Sequence, residues 1–276
     1  MGGAGAIAAG APRPFPLVRV AGVAVAAVTR EETVRQVATG LERGEGGWII
    51  TVNVDHLKRC ETCPEIASMY REASLVVADG MPLLWAARVA GAQLPERVAG
   101  SDLVWLLAER AARDGRSLFL LGGNPGAAET AAARLRERWP GLRIAGTSSP
   151  TVASPPTAAE VEALAAELEA AAPDLVYVGL GAPKQEQLIR ALRTRLPRTW
   201  WMGVGISLSF VAGDVSRAPR WLQRLGLEWV HRLGQEPRRL ARRYLIDDLP
   251  FALRLLASAL LSRLRGEGDG DPQRCA

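Results

Sequence analysis

Apolar and polar positions follow two rhythms along this chain. Up to about residue 205, short and largely apolar runs recur at 48–52 (WIITV), 74–78 (SLVVA), 118–121 (LFLL), 142–145 (LRIA), 175–178 (LVYV) and 199–204 (TWWMGV). Runs of that length, rich in β-branched and aromatic residues, predict strands buried on both faces of a parallel sheet. Between them, apolar positions take helical spacing. Thr29 and Glu32 form a capping box for a helix to about Arg43, and a second helical stretch after Asn53 is interrupted near Pro64. Further helices are predicted over 83–89, 102–113, an alanine-rich run to Trp139, and 158–171. Residues 17–27 alternate weakly and predict a strand or a hairpin around Gly22. Strands and helices in regular alternation predict a doubly wound, mostly parallel α/β sheet.

Past Gly213 the pattern turns to helices only. Residues 218–233 carry an apolar face with Trp221, Leu225 and Trp229, and Pro237 opens a helix loaded with Arg238, Arg239, Arg242 and Arg243. Beyond Pro250, Leu253, Leu256, Leu260 and Leu264 share one face, opposite Arg254, Ser258, Ser262 and Arg265. Such a stripe can lie in a membrane interface, or pack on the parent domain or a partner. The organisation expected is a disordered Gly/Ala/Pro-rich tail over 1–16, an α/β domain over 17–213, a helical basic C-terminal appendage over 214–265, and a disordered tail over 266–276.

Charge sharpens that division. The net charge of the 276 residues is +5. Residues 213–265 hold eleven arginines against five acids, so the remainder is close to neutral. A basic C-terminal quarter suits phosphate groups, on nucleic acid, a membrane surface or a substrate. Cys60, Cys63 and Cys275 are too few for a disulfide framework and fit a reducing compartment. Cys60 and Cys63 have redox or zinc spacing near His56, but a zinc site needs four ligands and the only other histidine is His231, so small helical residues explain them better. The N-terminus lacks the basic start and apolar core of a signal peptide, and no run reaches the ~20 apolar residues of a spanning helix. A cytoplasmic protein is expected.

Candidate chemistry gathers where strands end. Residues 174–187 read DLVYVGLGAPKQEQ: a buried strand, a turn containing Gly179 and Gly181, and Pro183 where a helix begins. That arrangement offers backbone N–H groups to a phosphate, and Lys184, one of only two lysines, adds a charge; a tight turn with no ligand fits the spacing too. Gly122 and Gly123 open a second glycine-rich turn, which lacks the GK[ST] of a P-loop. Thr51 and Asn53 lie at a strand end and point the same way. Asp79 sits just past another strand, where it could cap the next helix or serve as a catalytic carboxylate.

Together these stretches resemble the WecG/TagA/CpsF family of bacterial glycosyltransferases. The resemblance rests on TVN at 51–53, ADG at 78–80, ERVAGSDL at 96–103, GLGAPKQE at 179–186, GVGISLSFVAGDVSRAP at 203–219 and GLEWVHRLGQEPRRLARRYL at 226–245. It implies a Rossmann-like sheet and inverting transfer of an N-acetylmannosamine-type sugar from UDP to a polyprenyl-diphosphate-linked sugar, without a metal ion. It implies Asp79 as general base. Thr51, Asn53, Arg97, Gly122, Gly123, Gly179, Gly181, Lys184, Gln185 and Glu186 fall at donor- or acceptor-binding positions. Arg232, Arg239 and Arg242 fall in the appendage, facing a lipid diphosphate or an anionic membrane on the inner face of the cell membrane. SLSF at 207–210 departs from the expected pattern, which loosens donor detail. A homo-oligomer is compatible with all of this.

The residues suit that chemistry independently. A carboxylate in a cleft can take the proton of an attacking hydroxyl, and turn amides with arginines can receive a departing diphosphate. The one Asp-x-Asp pair, Asp269 and Asp271, stands in the glycine-rich tail, so no metal cofactor is expected. Another UDP-hexose of exopolysaccharide synthesis would serve the same residues. A nicotinamide enzyme would need a GxGxxG in the first βα unit, which is missing. Nucleic acid is not an expected partner, because the tryptophans fall on an apolar helix face rather than an exposed sheet.

Overall fold

The computed structural model describes residues 15–265 except 225–227 and 236, and the side chains of Arg220, Arg224 and Arg239 are also outside the description. The expected tails over 1–16 and 266–276 therefore lie almost wholly outside the described residues, as do Leu225, Asp269 and Asp271.

Two strands, β1 (Leu17–Val20) and β2 (Val23–Ala26), form the antiparallel hairpin around Gly22. The main sheet contains β3 (Gly47–Val52), β4 (Leu75–Ala78), β5 (Ser117–Gly122), β6 (Arg143–Ser148), β7 (Leu175–Gly179) and β8 (Trp200–Gly203). Its order is β4-β3-β8-β7-β5-β6, and every pairing is parallel. The fold is the expected α/β sheet flanked by helices.

The helices of the sheet region are α1 (Arg30–Glu42), α2 (Val54–Thr62), α3 (Pro64–Glu72), α4 (Met81–Val89), α5 (Gly100–Arg113), α6 (Ala127–Arg138), α7 (Ala158–Ala171), α8 (Lys184–Leu192) and α9 (Ser207–Ala212). Local chemistry accounts for several ends. Thr29 and Glu32 make the capping box of α1, and Thr157 with Glu160 makes another for α7. Pro64 breaks the long stretch after Asn53 into α2 and α3. Pro183 stands at the N-cap of α8, one residue before the position its missing N–H suggested.

Alternate strand residues feed two cores, as a period of two requires. Trp48, Ile50, Val76, Phe119, Val176 and Trp201 face α2, α3, α4, α7 and α8. Ile49, Val77, Leu118, Leu120, Tyr177 and Met202 face α1, α5, α6 and α9. Thr51 and Asp79 continue the second set, so both stand on the α5 side at the carboxyl edge.

Beyond Gly213 the expected stretch over 218–233 is two helices, α10 (Arg220–Arg224) and α11 (Glu228–Gln235). Trp221 is 61% exposed and Trp229 is also exposed, so neither anchors a core. Next come α12 (Pro237–Ala241), a π-helical stretch (Arg242–Asp248) and α13 (Leu249–Leu264). The face of α13 that packs is Phe251 and Leu255, which join the core beside α4. Leu253, Leu260 and Leu264 are 59%, 50% and 74% exposed. Of the stripe leucines, Leu256 is partly buried against the same core, while the other three turn outward. Among the described residues, no helix is long and apolar enough to cross a membrane.

Candidate active site

The chain leaves β3 toward β4 in one direction along the sheet and β5 toward β6 in the other. Neighbouring strands lead away in opposite directions at β5 and β7, where a crevice at the carboxyl edge is expected, and the candidate residues lie along that edge. They fall into two groups, one at the ends of β3 and β4, the other at the ends of β5, β7 and β8.

Asp79 centres the first group. Its N–H donates to the Val52 carbonyl at 2.7 Å, continuing the ladder one residue past β4. Its carboxylate does not cap α4, where Gly80 is the N-cap residue with no side-chain bond. Instead Oδ2 accepts from the Gly100 N–H at 3.2 Å, at the start of α5, and Oδ1 lies 3.9 Å from Arg97 Nη1. The positive end of α5 therefore faces the carboxylate. Burial nonetheless dominates and raises the Asp79 pKa from 3.8 to about 6, against the lowering by Arg97 and Gly100, while Glu228 and Asp102 raise it further. A carboxylate with that pKa in a cleft is suited to accept a proton near neutral pH.

Thr51 and Asn53 flank this position. Thr51 is buried, and a Cβ at Gly100 would stand 3.0 Å from its Oγ1, so the close approach of α5 needs the glycine. Asn53 caps α2, its Oδ1 accepting from the His56 N–H at 3.2 Å. His56 in turn donates from Nδ1 to the Thr51 carbonyl, and burial lowers its pKa to about 4, keeping it neutral. Burial likewise pushes the Cys60 thiol up to about 12, an inert core cysteine.

Arg97 reaches past Asp79 into an ion network. Its Nη1 donates to Glu228 Oε2 at 3.1 Å, and its Nη2 lies 3.9 Å from Asp102. Arg217 joins the same two carboxylates, donating to Asp102 Oδ1 at 2.6 Å and to Glu228 Oε1 at 3.2 Å. Arg30 closes the outer side, bonding Glu96 at 2.9 Å and lying 3.6 Å from Asp102. Sequence reasoning missed Asp102 and Glu228 as partners of Arg97, and Arg217 as the second arginine on both. Asp102 stands five residues along and was within reach of inspection; Glu228 is 131 residues away and carries no local signal.

The second group is built from backbone. Gly122 has φ +91°, and a Cβ there would meet the Gly179 backbone at 3.0 Å. The Gly123 N–H donates to the Gly179 carbonyl at 2.8 Å, so that amide is engaged within the turn rather than presented outward. Gly181 (φ +75°) leads into α8. Gln185 is buried, its Oε1 accepting from the Gly205 N–H at 3.0 Å and its Nε2 donating to Glu186 Oε1 at 2.8 Å. Gln185 thereby ties α8 to the turn after β8. Glu186 is buried too; burial raises its pKa, and its Oε2 has no partner. Lys184, at the first turn of α8, lies near enough to Glu160 to help lower that carboxyl.

The appendage arginines are dispersed. Arg232 lies over the Phe210 ring at 5.8 Å, Arg242 is exposed, and the Arg239 side chain lies outside the described residues. Arg243, not named as a candidate, lies 3.1 Å from the buried Asp55 and 3.6 Å from Asp248. Its place beside Arg242 gave no sequence cue to choose between them.

Compared with known families, the chain matches the model described as Glycosyl transferase WecG/TagA/CpsF family over residues 18–265, nearly its whole length.

Proposed function

The chain belongs to the WecG/TagA/CpsF glycosyltransferase family and is a transferase of cell-surface polysaccharide synthesis, and on that premise we propose a specific reaction. An N-acetylmannosamine-type sugar passes from UDP to a hydroxyl of a polyprenyl-diphosphate-linked sugar, with inversion. The observation that carries this reading is Asp79, a carboxylate with a pKa raised to about 6, held at the carboxyl edge between Gly100 and Arg97.

Asp79 takes the proton of the acceptor hydroxyl as its oxygen bonds the anomeric carbon. The bond from that carbon to the UDP oxygen breaks, and the electron pair leaves with UDP. Arg97 and the α8 turn, with Lys184, would receive the departing charge. Thr51 and Asn53 line the acceptor side. No metal ion is assigned a role, since the sequence offers Asp-x-Asp only in its tail. The exposed Leu253, Leu260 and Leu264, beside Arg254 and Arg263, would rest on the anionic inner face of the membrane where the lipid-linked acceptor is embedded.

The test is product analysis by mass spectrometry with a panel of UDP-sugars and a synthetic polyprenyl-linked acceptor. Transfer from UDP-N-acetylmannosamine, lost on Asp79→Asn, is expected. Selective transfer of another hexose would replace the donor assignment, and an Asp79→Asn enzyme of normal turnover would remove the base.

A further inference from the structure

The ion network around Arg97 contains two further groups, Arg217 and Glu228, that the transfer reaction as described leaves unused. One carboxylate, Glu228, bridges two guanidinium groups: Oε2 accepts from Arg97 at 3.1 Å and Oε1 from Arg217 at 3.2 Å. Two oxygens on one acid, each bonded to a different arginine, form a geometry that two oxygens of a phosphate can reproduce with more charge.

We propose that Arg97 and Arg217 form a diphosphate-binding pair, and that Glu228 holds this pair until a diphosphate displaces it. The proposal rests on the reading of the chain as a sugar-nucleotide transferase and gives that site a second arginine and a displaceable internal anion.

Three features support displacement over permanent pairing. The arginines are held without Glu228: Arg217 keeps Asp102 at 2.6 Å, and Arg97 keeps Asp79 and Asp102 at 3.9 Å. Removing the bridging carboxylate therefore leaves a formed pair rather than two loose side chains. Arg217 also has a spare donor, since its Nη2 is buried with no hydrogen-bond partner. Finally, Glu228 is the first residue of α11, a helix of eight residues none of which is buried, so moving it uncovers little core.

The charges point the same way. Asp79, Asp102, Glu96 and Glu228 already face Arg97, Arg217 and Arg30. A diphosphate added with Glu228 in place would meet an anionic cluster. With Glu228 withdrawn, it would meet two arginines anchored from behind.

The test is calorimetric binding of inorganic pyrophosphate to the full chain and to Glu228→Gln, Arg217→Gln and Glu96→Gln variants. Glu228→Gln keeps the shape of the side chain but lacks its charge, and affinity should rise about tenfold, the scale of one charge-assisted contact. Arg217→Gln should lower affinity by a similar factor. Glu96→Gln removes the same charge from the neighbouring Arg30 pair and should gain far less. Hydrogen exchange supplies a second readout: in the wild-type chain, pyrophosphate should speed exchange of the α11 amides. Repeating the titrations with UDP and with farnesyl diphosphate identifies the source. A Glu228→Gln gain confined to UDP places the donor's diphosphate at the pair, and one confined to farnesyl diphosphate places the acceptor's. Unchanged or weaker binding by Glu228→Gln, an equal gain from Glu96→Gln, or slower α11 exchange would overturn the proposal. The sugar-transfer assay is separate: a chain that binds pyrophosphate as stated but transfers no sugar would sink the transferase reaction and leave the pair standing.

Discussion

Replacing Asp79 with Asn should stabilise the protein while disabling it. The carboxyl holds its proton more tightly in the fold, with a pKa of about 6 against an ordinary 3.8. Between those values the folded state binds more protons than the unfolded state, so stability falls as pH rises through that window. Below 3.8 nothing is lost, and above about 6 the full cost is present. A displacement of that size corresponds to about 3 kcal/mol between the two protonation states. The side chain is 26% exposed at the cleft, so water relieves part of this, leaving about 1–3 kcal/mol at pH 8. Asn cannot ionise and escapes the cost, while its amide oxygen can still accept from Gly100. The difference in unfolding free energy between Asp79→Asn and wild type should therefore grow by about 1 kcal/mol from pH 5 to pH 8, or roughly 2–4 °C in melting temperature. Urea and thermal unfolding at matched pH would measure it, with contributions from other groups cancelling in the difference. Turnover should fall on the order of 10²–10⁴ in the same variant. A variant no more stable than wild type at pH 8, or a difference that does not change with pH, would refute the buried-carboxylate argument whatever happened to activity.

Other outcomes follow from neighbouring contacts. In kcat/KM, the acidic limb should lie near pH 6, and Arg97→Gln should move it upward, because Arg97 is the largest influence lowering the Asp79 pKa; a limb that stays or moves down would exclude the contact. Transfer should survive EDTA and gain nothing from added Mg²⁺ or Mn²⁺; loss on chelation with rescue by Mn²⁺ would assign the diphosphate to an ion. Leu255→Ala should destabilise by about 2–5 kcal/mol in urea unfolding, since Leu255 packs in the core, whereas Leu253→Asp with Leu260→Asp should leave folding intact and abolish sedimentation with anionic vesicles at low salt. Vesicle binding unaffected by the paired aspartates would end the membrane assignment.

Order and type of the sheet elements were legible because each rests on short-range physics. The apolar runs at 48–52 and 175–178 had to be buried on both faces, and Thr29 with Glu32 could begin a helix whatever surrounded it. Asp79 was legible as a strand-end carboxylate, but its partner was not. Choosing between a cap for α4 and a contact to α5 needed the path of residues 97–100, which the Val98 N–H fixes by bonding the Ala78 carbonyl at 2.8 Å. Gln185 and Glu186 read as ligand-facing by motif, yet one turn of α8 carries both inward, where Gln185 holds Gly205. The bridge from Glu228 to Arg97 and Arg217 is a tertiary fact, since nothing in a run of arginines says which will meet a given acid.

The appendage illustrates how one local irregularity can redirect a whole face. Heptad-like spacing put Leu253, Leu256, Leu260 and Leu264 on a single stripe, and a regular helix from Pro237 onward would offer that stripe as its apolar side. The π-helical stretch over Arg242–Asp248 changes this. Its wider turns advance the phase of everything after it, and one inserted residue amounts to about 100° of rotation. Phe251 and Leu255 point at α4 with Leu256 partly buried beside them, and Leu253, Leu260 and Leu264 turn outward. The same wide turn sets Arg243 against both Asp55 and Asp248, the latter five residues along, while Lys58 meets Asp248 at 3.3 Å. Asp55 is buried, and its carboxyl is held below the usual range by Arg243 and Arg59 against the opposing effect of burial. Withdrawing Arg243 would leave that buried charge short of a partner, which is costly. The π-helical stretch thus holds Arg243 on Asp55 and leads into α13, whose Leu253, Leu260 and Leu264 are exposed.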